Sequence, residues 1–130
     1  MKITEMNLND IDGVLQLYID YYNNYEGGCW AEQTARKRIQ QVLSMIDSFS
    51  LVMKNDKDEA VGFAMGYFKQ YDDIVGYTLE EIIISATHQH KGMGSFLLKE
   101  LENRVMEKGA SCVEPVSYTH LRAHETLRHL

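Results

Sequence analysis

Thiols are scarce in this 130-residue chain, which has only Cys29 and Cys112. Their lack of metal-ligand spacing excludes a disulfide framework and a thiolate metal centre, and with no apolar leader ahead of them a reducing cytoplasm is the expected compartment. Long apolar runs are missing too. The longest uncharged, largely apolar stretch, Ala60 to Phe68, falls far short of the roughly 20 residues that a membrane-spanning helix requires, so a soluble protein without a membrane partner is expected. Positive charge is in short supply: 13 Lys and Arg stand against 19 Asp and Glu, a formal charge of -6. That field opposes phosphate-backbone binding and makes nucleic acid an unsuitable partner, whereas a cationic or amine-bearing substrate suits it. Mild acidity also serves plain solubility. Internal repeats, linkers and low-complexity segments are absent.

What the chain does have is globular composition, 45% hydrophobic and 25% charged, and enough length for one modest core in a single domain. Lys2 to Met6 reads as a strand, and Asn7 or Asn9 can cap a helix whose first turn carries Asp10 and Asp12 near its positive end. Ile11, Val14, Leu15, Tyr18, Tyr22 and Tyr25 recur at helical spacing, and Gly27-Gly28 ends the run. A second helix is expected over about residues 31 to 46, with Ala35, Ile39, Val42, Leu43 and Ile46 on its apolar side. Ser48 to Met53 alternates as a partly buried strand, and Asn55 to Asp58 supplies a turn into a returning strand. There Val61, Phe63, Met65 and Tyr67 are expected on one face, with Gly62, Ala64 and Gly66 leaving the other open. A further strand, Leu79 to Ser85, precedes a glycine loop and a third helix striped by Leu97, Leu98, Leu101 and Val105, with Glu100 and Arg104 as a supporting pair. Gly109 is placed to end that helix, and Ser111 to Glu114 can begin one more strand.

The glycine loop carries the chemistry. Strand, Gln89-His90-Lys91-Gly92-Met93-Gly94-Ser95, then a long helix is a recipe for holding phosphate, because the first backbone amides of a helix lack intrahelical partners. Glycine lets the anion approach the main chain, and each hydrogen bond to a charged group contributes roughly 1.5 to 3 kcal/mol. Two glycines before a helix also occur in ordinary turns. The order Gln89-x-x-Gly92-x-Gly94, after two N-terminal helices, a hairpin and a strand, resembles the Gln/Arg-x-x-Gly-x-Gly/Ala signature of the GNAT N-acetyltransferase superfamily.

That resemblance covers residues 1–114 and implies an α/β fold, a GNAT-like mixed sheet flanked by helices. It further implies acetyl-CoA as cosubstrate, with Gln89 to Gly94 and Ser95 around the pyrophosphate and Lys91 adding charge if it points inward. In the family the strand before the loop splays from its neighbour and its freed backbone pairs with the pantetheine amides; here that strand end is Ile82-Ile83-Ile84. Leu79-Glu80-Glu81-Ile82 resembles the Leu-Glu-Asp stretch of diamine and related acetyltransferases, with Glu80 in the place of their proposed base.

Acyl transfer to an amine needs a neutral nitrogen, so a carboxylate must take the proton. Glu80 is the first candidate and Glu81 the second; successive strand residues face opposite ways, so the two are not expected to share a role. Neither cysteine sits in a nucleophile arrangement, which favours direct attack by the amine, a small molecule or a peptide, over a covalent intermediate. A non-catalytic acyl-CoA-binding domain is the competing reading. His88 with His90, and His120 with His124, lack a third ligand, so no metal site is expected. Tyr21, Tyr22, Tyr25, Trp30, Tyr67, Phe68 and Tyr71 suit an acceptor pocket or simple core packing equally.

Val116 to Thr126 resembles, residue for residue, one reading frame of a transposase-adapter sequence used in preparing DNA libraries. Residues 115–130 are therefore expected to be an artefactual tail, leaving a domain incomplete at its C-terminal end and a sheet edge unpaired. Tyr118 is accordingly not given the role of the tyrosine acid that the family commonly places beyond the next strand.

Overall fold

The structure is a computed structural model that describes residues 1–116; the expectations for residues 117–130, including Tyr118, His120 and His124, lie outside it. The elements run β1 (Lys2–Glu5), a short 3-10 turn, α1 (Ile11–Tyr25), α2 (Glu32–Leu43), β2 (Ser48–Lys54), β3 (Ala60–Gln70), β4 (Val75–Ile84), α3 (Met93–Glu107) and β5 (Val113–Pro115). The five strands form one mixed sheet in the order β1-β2-β3-β4-β5. The first three pairings are antiparallel, and β4 with β5 is parallel. A parallel neighbour requires a crossover, and α3 supplies it.

Local chemistry starts each helix where expected. Asn7 accepts from the Asn9 amide while Asp10 accepts from the Asn7 amide, so the donors ahead of α1 are satisfied. At α2 the Thr34 hydroxyl accepts from the Ala31 amide. Gly27, at φ +71°, ends α1 in the left-handed region that glycine enters without strain.

Apolar layers cover both sheet faces. Leu97, Leu98, Leu101 and Val105 of α3 pack with Phe49, Leu51, Met53, Tyr77, Leu79, Ile82 and Ile84. On the other face Ile11, Val14, Leu15 and Tyr18 of α1 and Ala35, Ile39 and Val42 of α2 meet Val52, Phe63, Met65 and Ile83. Burying a side chain of this size contributes roughly 1.5–3 kcal/mol, so these two layers dominate stability.

Several boundaries depart from the sequence reading. α2 stops at Leu43 and Ile46 is 86% exposed, because the chain must reverse through Asp47, at φ +58°, to enter β2. In α1 it is Tyr21 that is buried, while Tyr25 is exposed and Tyr22 turns toward β4. β4 begins at Val75, ahead of the expected Leu79.

Val61 belongs to the α3 face and not with Phe63 and Met65. Lys54 pairs with Ala60 and Met53 with Gly62, so Val61 is the extra residue of a bulge and the alternation flips there. The face left open by glycines is filled from within the sheet. A Cβ on Gly66 would lie 2.0 Å from the Thr78 carbonyl oxygen, and one on Gly62 would lie 2.7 Å from the Ile84 side chain.

Candidate active site

A second bulge shapes the site. Gly66 pairs with Leu79 and Met65 with Glu81, so Glu80 is the extra residue on β4. The two faces of β4 then read Tyr77, Leu79, Ile82 and Ile84 toward α3, with Glu81 and Ile83 toward α1 and α2. Glu80 reaches the same side, where its carboxylate lies 3.1 Å from the Arg38 guanidinium of α2. The expectation that adjacent glutamates face opposite ways is therefore corrected. A bulge breaks the two-residue period on which it depended.

Glu81 is 4% exposed. The Tyr22 hydroxyl donates to its carboxylate, 2.6 Å from Oε2 and also against Oε1. Burial pushes the Glu81 carboxyl up to about 7; the Tyr22 hydrogen bond and the Arg38 charge pull the other way, while Glu80 and Glu26 push it further up. Burial, followed by the Glu81 charge, raises the Tyr22 hydroxyl as well, so it remains a donor at neutral pH. Burial raises the Tyr18 hydroxyl, with the Glu81 charge adding to the shift and the Arg38 charge opposing it.

The surrounding aromatic side chains are packed against one another. The Tyr18 centroid lies 4.8 Å from that of Tyr22 and 5.1 Å from that of Trp30, and the Tyr22 and Trp30 centroids are 6.1 Å apart. Such spacings are those of ring-on-ring contact and leave no room for a cation between faces. These rings therefore build a wall that holds Tyr22, and core packing accounts for them. Phe68 likewise packs against Phe49 and Tyr77, and Tyr71 donates to Glu114 over 2.6 Å. Sequence reasoning missed Arg38 and the role of Tyr22 as a partner of Glu81. The signal for either would have required knowing which face of β4 meets α2.

Tyr77, Thr78 and Leu79 pair with Val113, Glu114 and Pro115, and the Val116 amide donates to the Leu79 carbonyl. From Glu80 to Ile84, β4 has no β5 partner among the described residues. Ser85 donates to Val61 of β3, so alternation aims the main-chain groups of Ile82 and Ile84 away from β3 and those of Ile83 toward it. The Ile84 carbonyl is already taken by the Gln89 side-chain amide, 3.0 Å away.

Past the end of β4 stands the glycine loop. His90 at φ +62° and Gly92 at φ +78° turn the chain so that Gly92 caps α3. The Phe96 amide closes the first helical bond onto the Gly92 carbonyl, so the amides of Met93, Gly94 and Ser95 form the first turn. No acidic side chain occupies that turn, and the positive end of a 15-residue helix favours an anion. A Cβ at Gly92 would meet nothing within 4 Å, so glycine suits this position through its left-handed backbone and not through a close neighbour. His88 is engaged locally, its Nδ1 2.7 Å from the Ser85 hydroxyl. Among the described residues no group of three or more His, Cys, Asp or Glu side chains is placed to hold a metal ion. No helix among them is long and apolar enough to cross a membrane.

The described residues thus place a glycine-turned helix terminus after a strand that carries one buried and one ion-paired carboxyl group. The acetyltransferase (GNAT) family model matches residues 11–130, and the chain belongs to that family. No curated protein matches in sequence. Among solved structures, a probable acetyltransferase superposes with TM-score 0.79 at 19% identity, covering 99% of this chain and 87% of the other. The ribosomal-protein-alanine N-acetyltransferase of Brucella melitensis biovar Abortus 2308 gives TM-score 0.76 at 16% identity, covering 99% and 89%. An aminoglycoside acetyltransferase from an uncultured soil metagenomic sample, in complex with sisomicin, gives 0.72 at 16%, covering 98% and 85%. At these identities the likeness is one of fold. Family and fold together make this chain an acetyltransferase in the general sense, an enzyme of acyl transfer.

Proposed function

We propose that the chain moves an acetyl group from acetyl-CoA to a primary amine, of a small molecule or a peptide, by direct attack. The observation that carries this reading is the buried Glu81 carboxyl, just past the last residue of β4 that pairs with β5; the proposal places a parting of the two strands there. A carboxyl whose pKa is about 7 is matched to taking a proton at neutral pH, and Glu81 therefore displaces Glu80 as the preferred base. Glu80 is committed to Arg38.

In the proposed arrangement the pyrophosphate sits on the main chain of His90 to Ser95, with Lys91 exposed nearby as a counter-charge. Gln89 contributes by tying the loop to the end of β4. The pantetheine amides pair with Ile82 and with the Ile84 amide in the parting. Glu81 takes a proton from the acceptor ammonium, and the freed lone pair attacks the thioester carbonyl. The new C–N bond forms, the C–S bond breaks, the nitrogen's second proton goes to the leaving thiolate, and Glu81 returns its own to solvent.

The test is incubation of the full chain with acetyl-CoA and a panel of primary amines, with free thiol measured. Amine-dependent thiol release that is lost in Glu81→Gln is the expected result. Tight CoA binding without release, unaltered by Glu81→Gln, would instead favour the acyl-CoA-binding reading.

A further inference from the structure

Arg38 takes no part in the acyl-transfer steps, yet it sits at the centre of the groups around them. It lies 3.1 Å from Glu80 and bears electrostatically on Tyr18 and Glu81. Among the described residues the ionisable groups facing Glu81 are Tyr18, Tyr21, Tyr22 and Glu26 at the α1 side, Arg38 from α2 and Glu80 from β4. Its cross-strand neighbour on β3, Met65, carries no charge.

The bulge makes this arrangement consequential. On a regular strand Glu80 and Glu81 would be separated by the sheet; the extra residue sets both carboxyl groups on one side. Two neighbouring carboxyl groups in a low-dielectric setting share their protons, and neither is reliably the base. A guanidinium that cannot deprotonate resolves this by pairing with one of them.

We infer that Arg38 is a positioning residue: held on α2 against Glu80, its guanidinium keeps that carboxylate occupied, so that Glu81 is the group that exchanges a proton with the acceptor amine. The inference rests on the proposed role of Glu81 as base, and a measurement independent of turnover separates the two.

The carboxyl carbons of glutamate-labelled full-length protein are titrated by NMR in the parent, Arg38→Met, Arg38→Lys and Glu80→Gln. Losing the cation moves the Glu81 midpoint up by about one pH unit or more, and lysine leaves it close to the parent. Glu80→Gln moves it down, because the released guanidinium turns to Glu81 and a like charge is gone. Thiol release from acetyl-CoA, with the best amine of the panel, is then compared in Glu81→Gln and in Arg38→Met/Glu81→Gln. The double variant regains about tenfold or more of the lost rate as the freed Glu80 takes over the proton.

Midpoints that stay fixed in both Arg38→Met and Glu80→Gln, or a double variant no faster than Glu81→Gln, would overturn the inference. Full activity in Glu81→Gln would instead remove the base assignment itself. The Arg38 side chain is 34% exposed, so its replacement removes charge more than packing. Should Arg38→Met fail to fold, the downward shift in Glu80→Gln beside an unchanged midpoint in Arg38→Lys decides the matter, and a fixed midpoint in Glu80→Gln overturns the inference.

Discussion

The two faces of the sheet are built to different rules. Toward α3 the covering residues are apolar throughout, Leu97, Leu98, Leu101 and Val105 over Leu51, Leu79 and Ile82. Toward α1 and α2 an equally apolar layer surrounds a polar group that water hardly reaches, Glu81 with its Tyr22 and Arg38 neighbours. The first face is optimised for burial. The second gives up stability to keep a carboxyl near its neutral form, and groups kept that way are characteristic of sites that move protons. Substitutions on the two faces should therefore separate stability from activity.

The largest effect is expected from Glu81→Gln, which removes the proposed base while preserving shape. Loss of general base catalysis lowers kcat/KM by about 10²–10⁴-fold, measured as thiol release. In the parent, kcat/KM should rise with pH and level off through about 7, the Glu81 value, since only the ionised carboxylate accepts a proton. A flat profile between pH 5 and 8 would break the contrast between the faces.

Leu101→Ala, on the apolar face, should cost about 2–5 kcal/mol in urea unfolding, with kcat little changed in the fraction that remains folded. The cost should be independent of pH between about 5 and 8, because Tyr77, the ionisable side chain in its cluster, has its hydroxyl pushed up by burial and stays neutral there.

The Glu81→Gln stability effect has the opposite sign and a pH window. The folded carboxyl titrates at about 7, above the ordinary 4.5, so the folded state favours the protonated form. Its stabilising contribution is complete below about 4.5 and disappears as pH rises through 7. Above that, the parent carries a destabilisation of up to about 3 kcal/mol that glutamine avoids. Glu81→Gln should consequently unfold at higher urea than the parent at pH 8, with the advantage vanishing at pH 4.5. Equal shifts at both pH values would show that the charge is not what burdens this face.

Gly92→Asp tests the loop apart from either face. A carboxylate at the first turn of α3 repels the pyrophosphate, so CoA affinity by calorimetry should fall about tenfold or more, one lost charged hydrogen bond or its equivalent. Gly92 sits at φ +78°, where a side chain is strained, although aspartate is among the residues that enter that region most readily; the melting temperature should fall modestly, and affinity is compared where both proteins are folded. The smallest effect belongs to Ile46→Ser, expected within about 0.5 kcal/mol in either direction, because Ile46 is 86% exposed. A larger loss would mean that Ile46 belongs to the α2 stripe after all.

Much of this was readable in the residues. Periodicity located α1, α2, α3 and the β2–β3 hairpin because an amphipathic element carries its burial pattern in its own spacing. The turn at Gln89 to Gly94 was legible for a related reason: its glycines, its positive-φ residues and the helix behind it are contiguous. Ile46 was misplaced because a turn that reverses the chain is set by where β2 must begin, which spacing within α2 does not encode.

The order of helices and strands, the glycine loop and the presence of two carboxylates on β4 were thus determined by the sequence alone. Only the tertiary structure decided which of the two carboxyl groups is buried and which is paired. A bulge is a property of two strands in register, since Glu80 becomes an extra residue only when Gly66 pairs with Leu79 and Met65 with Glu81. Arg38 and Tyr22 likewise meet these groups only after α1 and α2 have packed on that face. The local chain supplied the chemical groups; their protonation and partnership arise from contacts between residues far apart in sequence, where burial and charge act through space.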